Sequence, residues 1–318
     1  MPEFVILAPG YNPNVGGFIV LHYLCHLLNE LGHTAHLVPL FRSFELSPVD
    51  PDVFVQAILE PRASLRRTPY TLHPDWNTPL YRRPLRGIRK REEVVAVYPE
   101  VTFGNPLRAR HVARWLLHTP GFHNKDVFFV PGEVQFRYLE MHKPVPMPWI
   151  EVAEQMLTVT YLPWESYQPP PEGSPRSGTA YLMRKGAGRS IVHDLSDSVC
   201  IDGMSHQEIG DIFRRVQTFI SYDTRTSYSL LAAVAGADSV IVPEDGVDED
   251  QWLPEEHLRV GLAYGFDRLD WARSTRHLAA ERFQEMQTRS ADSAADFARF
   301  WTERLAASVE ADSATEPG

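Results

Sequence analysis

The sequence is short of several things, and each shortage narrows the reading. It holds only two cysteines, Cys25 and Cys200, in 318 residues. A disulfide-rich secreted scaffold is therefore excluded. No apolar stretch reaches the ~18–20 residues that a membrane-crossing helix needs. The opening Met-Pro-Glu-Phe-Val-Ile-Leu has neither a basic segment nor a long apolar one, which argues against a secretory leader. Positive charge is in deficit: 31 Lys and Arg against 41 Asp and Glu leave a formal charge of −10. A broad, non-specific nucleic-acid surface needs a strong cationic field, and this balance does not supply one. Neither Gly-x-Gly-x-x-Gly nor a Walker A pattern occurs, so dinucleotide and P-loop readings lose their main support. The expectation is a soluble, cytoplasmic protein.

What is there is the balance of a globular protein, with 43 % hydrophobic and 23 % charged residues. The length suits two domains. One basic cluster stands out: Arg82, Arg83, Arg86, Arg89, Lys90 and Arg91. Its ordinary reading is a solvated face; contact with a phosphate or a membrane surface is the sharper one.

The chain opens as strand, loop, helix, strand. Residues 4–7 are a short apolar run of the kind found in buried parallel strands. Pro9, Gly10, Asn12, Pro13, Asn14, Gly16 and Gly17 then break regular structure. The pattern predicts a helix over 17–31, apolar nearly all round and ended by Gly32. A strand over 35–38 completes the βαβ opening of a doubly wound sheet. Residues 41–92 are rich in Pro and Arg with weak periodicity, apart from 53–59. Further along, the first half is predicted to hold a strand at 94–97, a helix at 107–117, a strand at 126–130 and a last strand at 155–161.

Gln168-Pro169-Pro170-Pro171-Glu172-Gly173-Ser174-Pro175 fits neither a helix nor a central strand and reads as a linker. A second α/β pattern follows. Strands are predicted at 179–183, 198–201, 218–221 and 239–242, with helices at 205–215 and 227–235. A helix over 292–307 precedes ten residues expected to lack fixed structure. The expected fold class is α/β, with two Rossmann-like domains facing each other across a cleft. They would cover 1–165 and 166–290, with 291–318 forming a C-terminal helix, free to pack back on the first domain, and a tail.

Ligands of open α/β sheets bind beyond the carboxyl ends of the strands. Four punctuated loops fall at such ends: 10–17, 100–106, 184–189 and 222–227. In Ser221-Tyr222-Asp223-Thr224-Arg225-Thr226-Ser227, Thr226 or Ser227 would open a helix, where free N–H groups favour a phosphate. A plain N-cap uses the same residues. In Arg184-Lys185-Gly186-Ala187-Gly188-Arg189, cations would neutralise a diphosphate and glycines would let the backbone approach it. A basic surface turn is the bland alternative. Asn14, Gly16 and Gly17 either admit a substrate or make a tight turn. Glu100 and Glu133 each follow a strand and are the candidates for a catalytic base, or else surface carboxylates.

Histidines His22 and His26 lie one helical turn apart with Cys25 between them, a spacing that can share a metal. Tyr23 stands where His-Glu-x-x-His would place its Glu, so packed imidazoles are the better reading. The acidic pairs Asp50/Asp52 and Asp248/Asp250 read as solvated loops, and no obligatory metal is expected.

Several of these stretches resemble a GT-B-fold glycosyltransferase of the bacterial capsule and O-antigen type. Tyr11-Asn12-Pro13-Asn14-Val15-Gly16-Gly17 is similar to the first loop of the acceptor-side domain. Val97-Tyr98-Pro99-Glu100-Val101, Gly104-Asn105-Pro106-Leu107 and Arg114-Trp115-Leu116-Leu117 are similar to a further segment. Tyr181-Leu182-Met183-Arg184-Lys185-Gly186 and the Ser221 to Ser227 stretch look like donor-side loops. Gly261-Leu262-Ala263-Tyr264-Gly265 with Trp271-Ala272 also fits. The resemblance implies transfer of a sugar from a UDP, GDP or dTDP sugar to a hydroxyl of a glycan, a lipid-linked or a small-molecule acceptor. It implies no tightly bound metal, no separate cofactor and no nucleic-acid partner, and allows peripheral membrane contact. Arg184, Lys185, Gly186, Arg189, Tyr222, Asp223, Thr224, Thr226 and Ser227 would face the donor. Asn14, Gly16 and Gly17 would line the acceptor side. The Glu-x7-Glu signature of many retaining members is missing: eight residues before Glu244 stands Gly236. The anomeric outcome therefore stays open. A nucleotide-sugar epimerase of similar fold and a non-catalytic module are the rival readings.

Overall fold

A computed structural model describes residues 1–40, 70–123 and 127–314. In chain order the elements are β1 (Glu3–Ala8), α1 (Gly16–Glu30), β2 (Thr34–Pro39), β3 (Val94–Pro99), β4 (His111–Leu116), β5 (Val134–Arg137), β6 (Glu151–Val152), β7 (Thr179–Leu182), β8 (Ser198–Cys200), α2 (His206–Arg215), β9 (Thr218–Ser221), α3 (Tyr228–Val234), β10 (Asp238–Ile241), α4 (Glu249–Trp252), β11 (Leu262–Tyr264), α5 (Leu269–Thr275) and α6 (Ala279–Ala314). Short 3-10 helices join them, among them Leu85–Lys90 and Arg184–Gly186. The chain divides into two compact units, Met1–Tyr161 with Thr288–Gly318, and Leu162–Gln287. The proline run lies within the second.

In the first unit the strand order is β2-β1-β3-β4-β5-β6, and every neighbour is parallel. Alternation along the strands divides the core. Phe4, Ile6, Val95, Val97, Trp115 and Phe136 share one cluster with Leu24 and Leu28 of α1 and Phe297 and Trp301 of α6. Val5, Leu7, Val94, Ala96 and Val112 face the other way, against Ile88, Leu107 and Ala109. Burial on both faces explains the nearly unbroken apolar runs that made β1 and β3 legible.

Three expectations for this unit fail for local reasons. The helix over 107–117 is instead a loop followed by β4. Arg108 sits at φ +53°, a left-handed conformation that no α-helix interior accepts. The loop is closed by side chains: Tyr98 Oη donates to Asn105 Oδ1 at 2.9 Å, and Asn105 Nδ2 donates to the Ala109 carbonyl at 2.7 Å. The strand over 126–130 is absent over 127–130, with Asp126 outside the described residues. Gly132, at φ +81°, turns the chain first, and the strand is β5. The strand over 155–161 is also absent. That segment makes one backbone bond to β5, the Leu157 N–H donating to the Arg137 carbonyl at 2.9 Å, and then turns its N–H groups to α6: Thr158 N–H donates to Ser293 Oγ and Thr160 N–H to Ser290 Oγ, each at 2.9 Å. Helix α6 starts before 292 and runs to Ala314, into the stretch expected to lack structure. The segment 53–59 lies outside the described residues.

One buried charge organises this unit. Arg114, on β4, and Glu133, just before β5, are both fully buried and pair at 2.9 Å. Arg114 also donates to the carbonyls of Thr102 at 2.6 Å and Gly104 at 2.7 Å. A polar residue at the centre of an apolar strand is thereby matched by the loop after β3.

The second unit repeats the plan. Its order is β11-β10-β9-β7-β8, again parallel throughout. Phe219, Ile241, Leu231 and Phe213 pack in its main cluster. Strand β9 follows the expected bounds, and α2 has the Ser205/Glu208 capping box its sequence suggests.

Removing one partner of a buried ion pair leaves an uncompensated charge. Arg114→Met is expected to lower the free energy of unfolding by about 3–5 kcal/mol, and Arg114→Met with Glu133→Leu to recover much of that loss. Urea denaturation of the single and double variants measures both.

Candidate functional site

Counted within each unit, the strand order is 2-1-3-4-5-6 in the first sheet and 2-1-3-4-5 in the second. Strand order reverses between the first and third strand, and the crevice outside their carboxyl ends is where open α/β sheets bind ligands. In the second unit the reversal lies between β7 and β9. The loops leaving these two strands are 183–189 and 222–227, the two that sequence singled out as donor-side. In the first unit it lies between β1 and β3, which lead into the loop before α1 and into Glu100.

The two loops of the second unit are fitted together. A Cβ on Gly186 would stand 2.2 Å from the Tyr222 carbonyl oxygen, so only glycine permits this approach. Arg184 reaches over the Tyr228 ring at the start of α3, its guanidinium carbon 5.5 Å from the ring centroid. Its backbone is left-handed, at φ +36°, an unusual state for a non-glycine residue. The Asp202 carboxylate steadies it by accepting the N–H groups of Met183 at 3.3 Å and Arg184 at 3.2 Å. Lys185, Arg184 and Ser227 are exposed and Thr226 is half-buried. The two loops thus carry three exposed cations, Arg184, Lys185 and Arg225, and the hydroxyls of Ser227 and of Thr226, which accepts the Tyr228 N–H at 3.3 Å.

The remaining donor-side candidates serve the scaffold. Arg189 donates to the carbonyls of Tyr222 at 2.8 Å, Val242 at 3.1 Å and Pro243, which ties the ends of β9 and β10. Tyr222 is buried, and its hydroxyl accepts the Val192 N–H at 2.8 Å and meets His193 Nδ1 at 2.8 Å. Asp223 accepts the Arg225 N–H at 3.1 Å in a local turn. Thr224 donates its hydroxyl to Glu244, while its carbonyl accepts Trp252 Nε1 at 2.7 Å. The acidic run at α4 is likewise structural: Asp248 caps the helix, and Glu249 and Asp250 pair with Arg259.

In the first unit, α1 begins at Gly16 with no side-chain cap, and its Phe18 N–H donates to the Val15 carbonyl at 3.0 Å. A Cβ on Gly16 would meet nothing within 4 Å, and one on Gly17 would be 3.7 Å from Leu117 Cδ1. Asn14 is exposed beside them. Leu117 is the link to Glu100: its N–H donates to Glu100 Oε2 at 3.0 Å. The first turn of α1 and Glu100 thus both border Leu117. Glu100 is 7 % exposed. Burial pushes its carboxyl up to about 7, against the pull of the Leu117 and His118 N–H groups and the nearby Arg114 charge. Glu133 is different. Both its oxygens accept from Arg114, and Oε2 also accepts the Val130 N–H at 3.1 Å. It is committed to the core and is not placed to move a proton for a substrate.

His22 bonds the Pro9 carbonyl through Nε2 at 2.8 Å, and His26 Nδ1 accepts the Asn77 N–H at 3.1 Å. Among the described residues no group of three or more His, Cys, Asp or Glu is placed to hold a metal ion. No helix among them is long and apolar enough to cross a membrane. The sequence reading missed Asp202 and Tyr228, and it gave Glu244 and Leu117 no part in holding the loops. Asp202 had a signal, its Asp-Gly turn directly after a strand.

No family model and no curated protein matches the chain. Solved structures align with it at low similarity. The glycosyltransferase SnogD from Streptomyces nogalater is 13% identical with a TM-score of 0.41, over 95% of this chain and 100% of that one. The glycosyltransferase VinC in complex with dTDP is 12% identical with a TM-score of 0.39, over 95% and 100%. MurG of Acinetobacter baumannii is 11% identical with a TM-score of 0.30, over 92% and 94%. At these values they assign no role to any residue here.

The Glu100 shift has a sign. The folded protein keeps the proton up to about pH 7, while an ordinary carboxyl releases it near 4.5. The contribution is therefore full below pH 4.5 and is lost as pH rises through 7. Relative to Glu100→Gln, the wild-type chain is expected to lose stability across that window with a slope of at most about 1.4 kcal/mol per pH unit, then level off. Denaturant titrations of both proteins at stepped pH test this.

Proposed function

We propose that the chain is a glycosyltransferase that moves a sugar from a nucleoside diphosphate sugar to a hydroxyl acceptor. The observation that carries the reading is the paired loop at the second unit's strand reversal. There the loop bearing Arg184 and Lys185 meets the loop bearing Thr226 and Ser227, with Gly186 closed on Tyr222 and Arg184 over the Tyr228 ring. Such a surface suits a diphosphate: cations offset charge as it leaves, and hydroxyls and backbone N–H groups take its oxygens. Asp202, Arg189 and Tyr222 hold the loops and do not touch the ligand.

The first unit supplies the acceptor side in this reading. Asn14, Gly16 and Gly17 leave room for a group close to the backbone. Glu100 is the base. A carboxyl tuned to about 7 is half-ionised at neutral pH, near the optimum for general base work. The acceptor oxygen forms the new bond to the anomeric carbon, the bond from that carbon to the diphosphate breaks, and the acceptor proton passes to Glu100. The diphosphate leaves as an anion against Arg184 and Lys185.

Thermal shift against UDP, GDP and dTDP is the first test, since a ligand that binds the folded state raises its apparent stability. Lys185→Ala is expected to abolish the shift and to lower kcat ~100-fold or more with an unchanged melting temperature. Glu100→Gln is expected to keep the shift and to lose ~100-fold or more in turnover. Full turnover in Lys185→Ala would refute the donor assignment. Incubation with donor alone separates the rivals. A new nucleotide sugar means epimerisation, free sugar with nucleotide means transfer to water, and no turnover with any acceptor means a non-catalytic module.

A further inference from the structure

The carboxyl edge of the first unit's sheet holds Glu100 and the loop before α1. The opposite edge carries a different feature. The 3-10 helix Leu85–Lys90 precedes β3 there, and the Glu93 carbonyl that follows it accepts the N–H of Glu3 at the start of β1. A concavity of about 410 Å³ opens against it, lined by Arg83, Arg86, Arg89, Lys90 and Arg91 with Tyr81 as a wall.

The helix geometry concentrates this charge. Three residues per turn bring positions i and i+3 onto one edge of a 3-10 helix. Arg86 and Arg89 therefore share an edge, while Ile88 is fully buried on another. The carboxylates nearby are committed. Arg91 pairs with Glu3 at 2.5 Å and with Glu93 at 2.7 Å, and Arg83 reaches Glu3 at 3.7 Å. Arg86, Arg89 and Lys90 are exposed, and among the described residues no carboxylate pairs with them. Like charges one turn apart repel. In a chain of net charge −10, acidic side chains were plentiful to neutralise them, yet among the described residues none that lines the concavity is acidic.

We propose that this concavity is a binding site for a phosphate-bearing anion, with Arg86, Arg89 and Lys90 taking the phosphoryl oxygens. Guanidinium forks match phosphate oxygens in pairs. Arg91, clamped to Glu3 and Glu93, sets the wall rather than the grip. The site lies at the other edge of the sheet from the acceptor-side residues and does not depend on the sugar-transfer reading. The phosphate can belong to a lipid headgroup or to a soluble compound, and the test distinguishes the two.

The test uses the full-length chain with Arg184→Ala and Lys185→Ala as background, so that the second unit's loop does not contribute. At low ionic strength it is sedimented with phosphatidylcholine vesicles with or without phosphatidylglycerol, and titrated with inorganic pyrophosphate by calorimetry. Binding to the anionic vesicles alone assigns a lipid headgroup; binding of pyrophosphate assigns a soluble anion. Arg86→Glu with Arg89→Glu is expected to weaken the interaction about tenfold or more. Gly87→Glu is the second variant. A Cβ there meets nothing within 4 Å, so a carboxylate enters the concavity without crowding the fold, and the same loss is expected. The proposal is overturned if neither probe binds, or if binding survives both variants. It is also overturned if a single-stranded oligonucleotide binds where neither phosphate probe does.

Discussion

The first unit depends on a fully buried cation. Arg114 sits in the middle of a parallel strand with its side chain fully buried, where an unmatched charge is very expensive. Every neighbour is arranged to answer it. Glu133 supplies the counter-charge, the carbonyls of Thr102 and Gly104 take two N–H bonds, and the rings of Tyr98 and Phe129 each lie 5.2 Å from the guanidinium carbon. Two of those groups belong to the loop that leaves β3. Glu100 opens that loop, so the position of its carboxyl follows from the needs of an arginine one strand away. The same charge also opposes the rise in the Glu100 pKa. Desolvation is the larger effect.

The second unit solves the corresponding problem with backbone. Its cationic loop is held by a carboxylate, Asp202, that bonds main-chain N–H groups and leaves the charged side chains of Arg184 and Lys185 outside. Arg189, only a few residues on, is turned inward to three carbonyls. One short basic segment therefore contains both kinds of arginine, one that builds the edge and one that is left at it. Gly186 is the pivot, since any side chain there would strike the Tyr222 carbonyl.

The sequence made some of this legible and hid the rest for identifiable reasons. Strands β1, β3 and β9 are buried on both faces and read as apolar runs; the loops after them read as punctuation. Parallel topology then placed those loops at one edge of each sheet, which is why the reading found the edges. Strand β4 was misread because Arg114 gives it the polar interruption of an amphipathic helix, and its partner Glu133 lies across an intervening loop. Strand β5 was missed because it is only four residues long and Gln135, which donates to Glu133 Oε1 at 3.3 Å, breaks its apolar character. Roles within the loops were less legible still. Arg184 and Arg189 are alike in sequence, and only the carbonyls of Tyr222, Val242 and Pro243 separate them. Glu100 and Glu133 each follow or flank a strand, yet one is a tunable acid and the other half of an ion pair.

Charge in this chain is sorted by position more than by amount. At the carboxyl edge of the first sheet, burial raises the Glu100 carboxyl toward neutrality against the pull of the Arg114 charge. Had the side chains of Arg86 and Arg89 stood at that edge, they would have favoured the ionised form and drawn its pKa back down. At the amino edge they do not reach it, since exposed charges separated by more than about 8–10 Å are largely screened in physiological salt. The parallel sheet keeps a cationic concavity and a neutralisable carboxylate in one unit by giving each its own end of the strands.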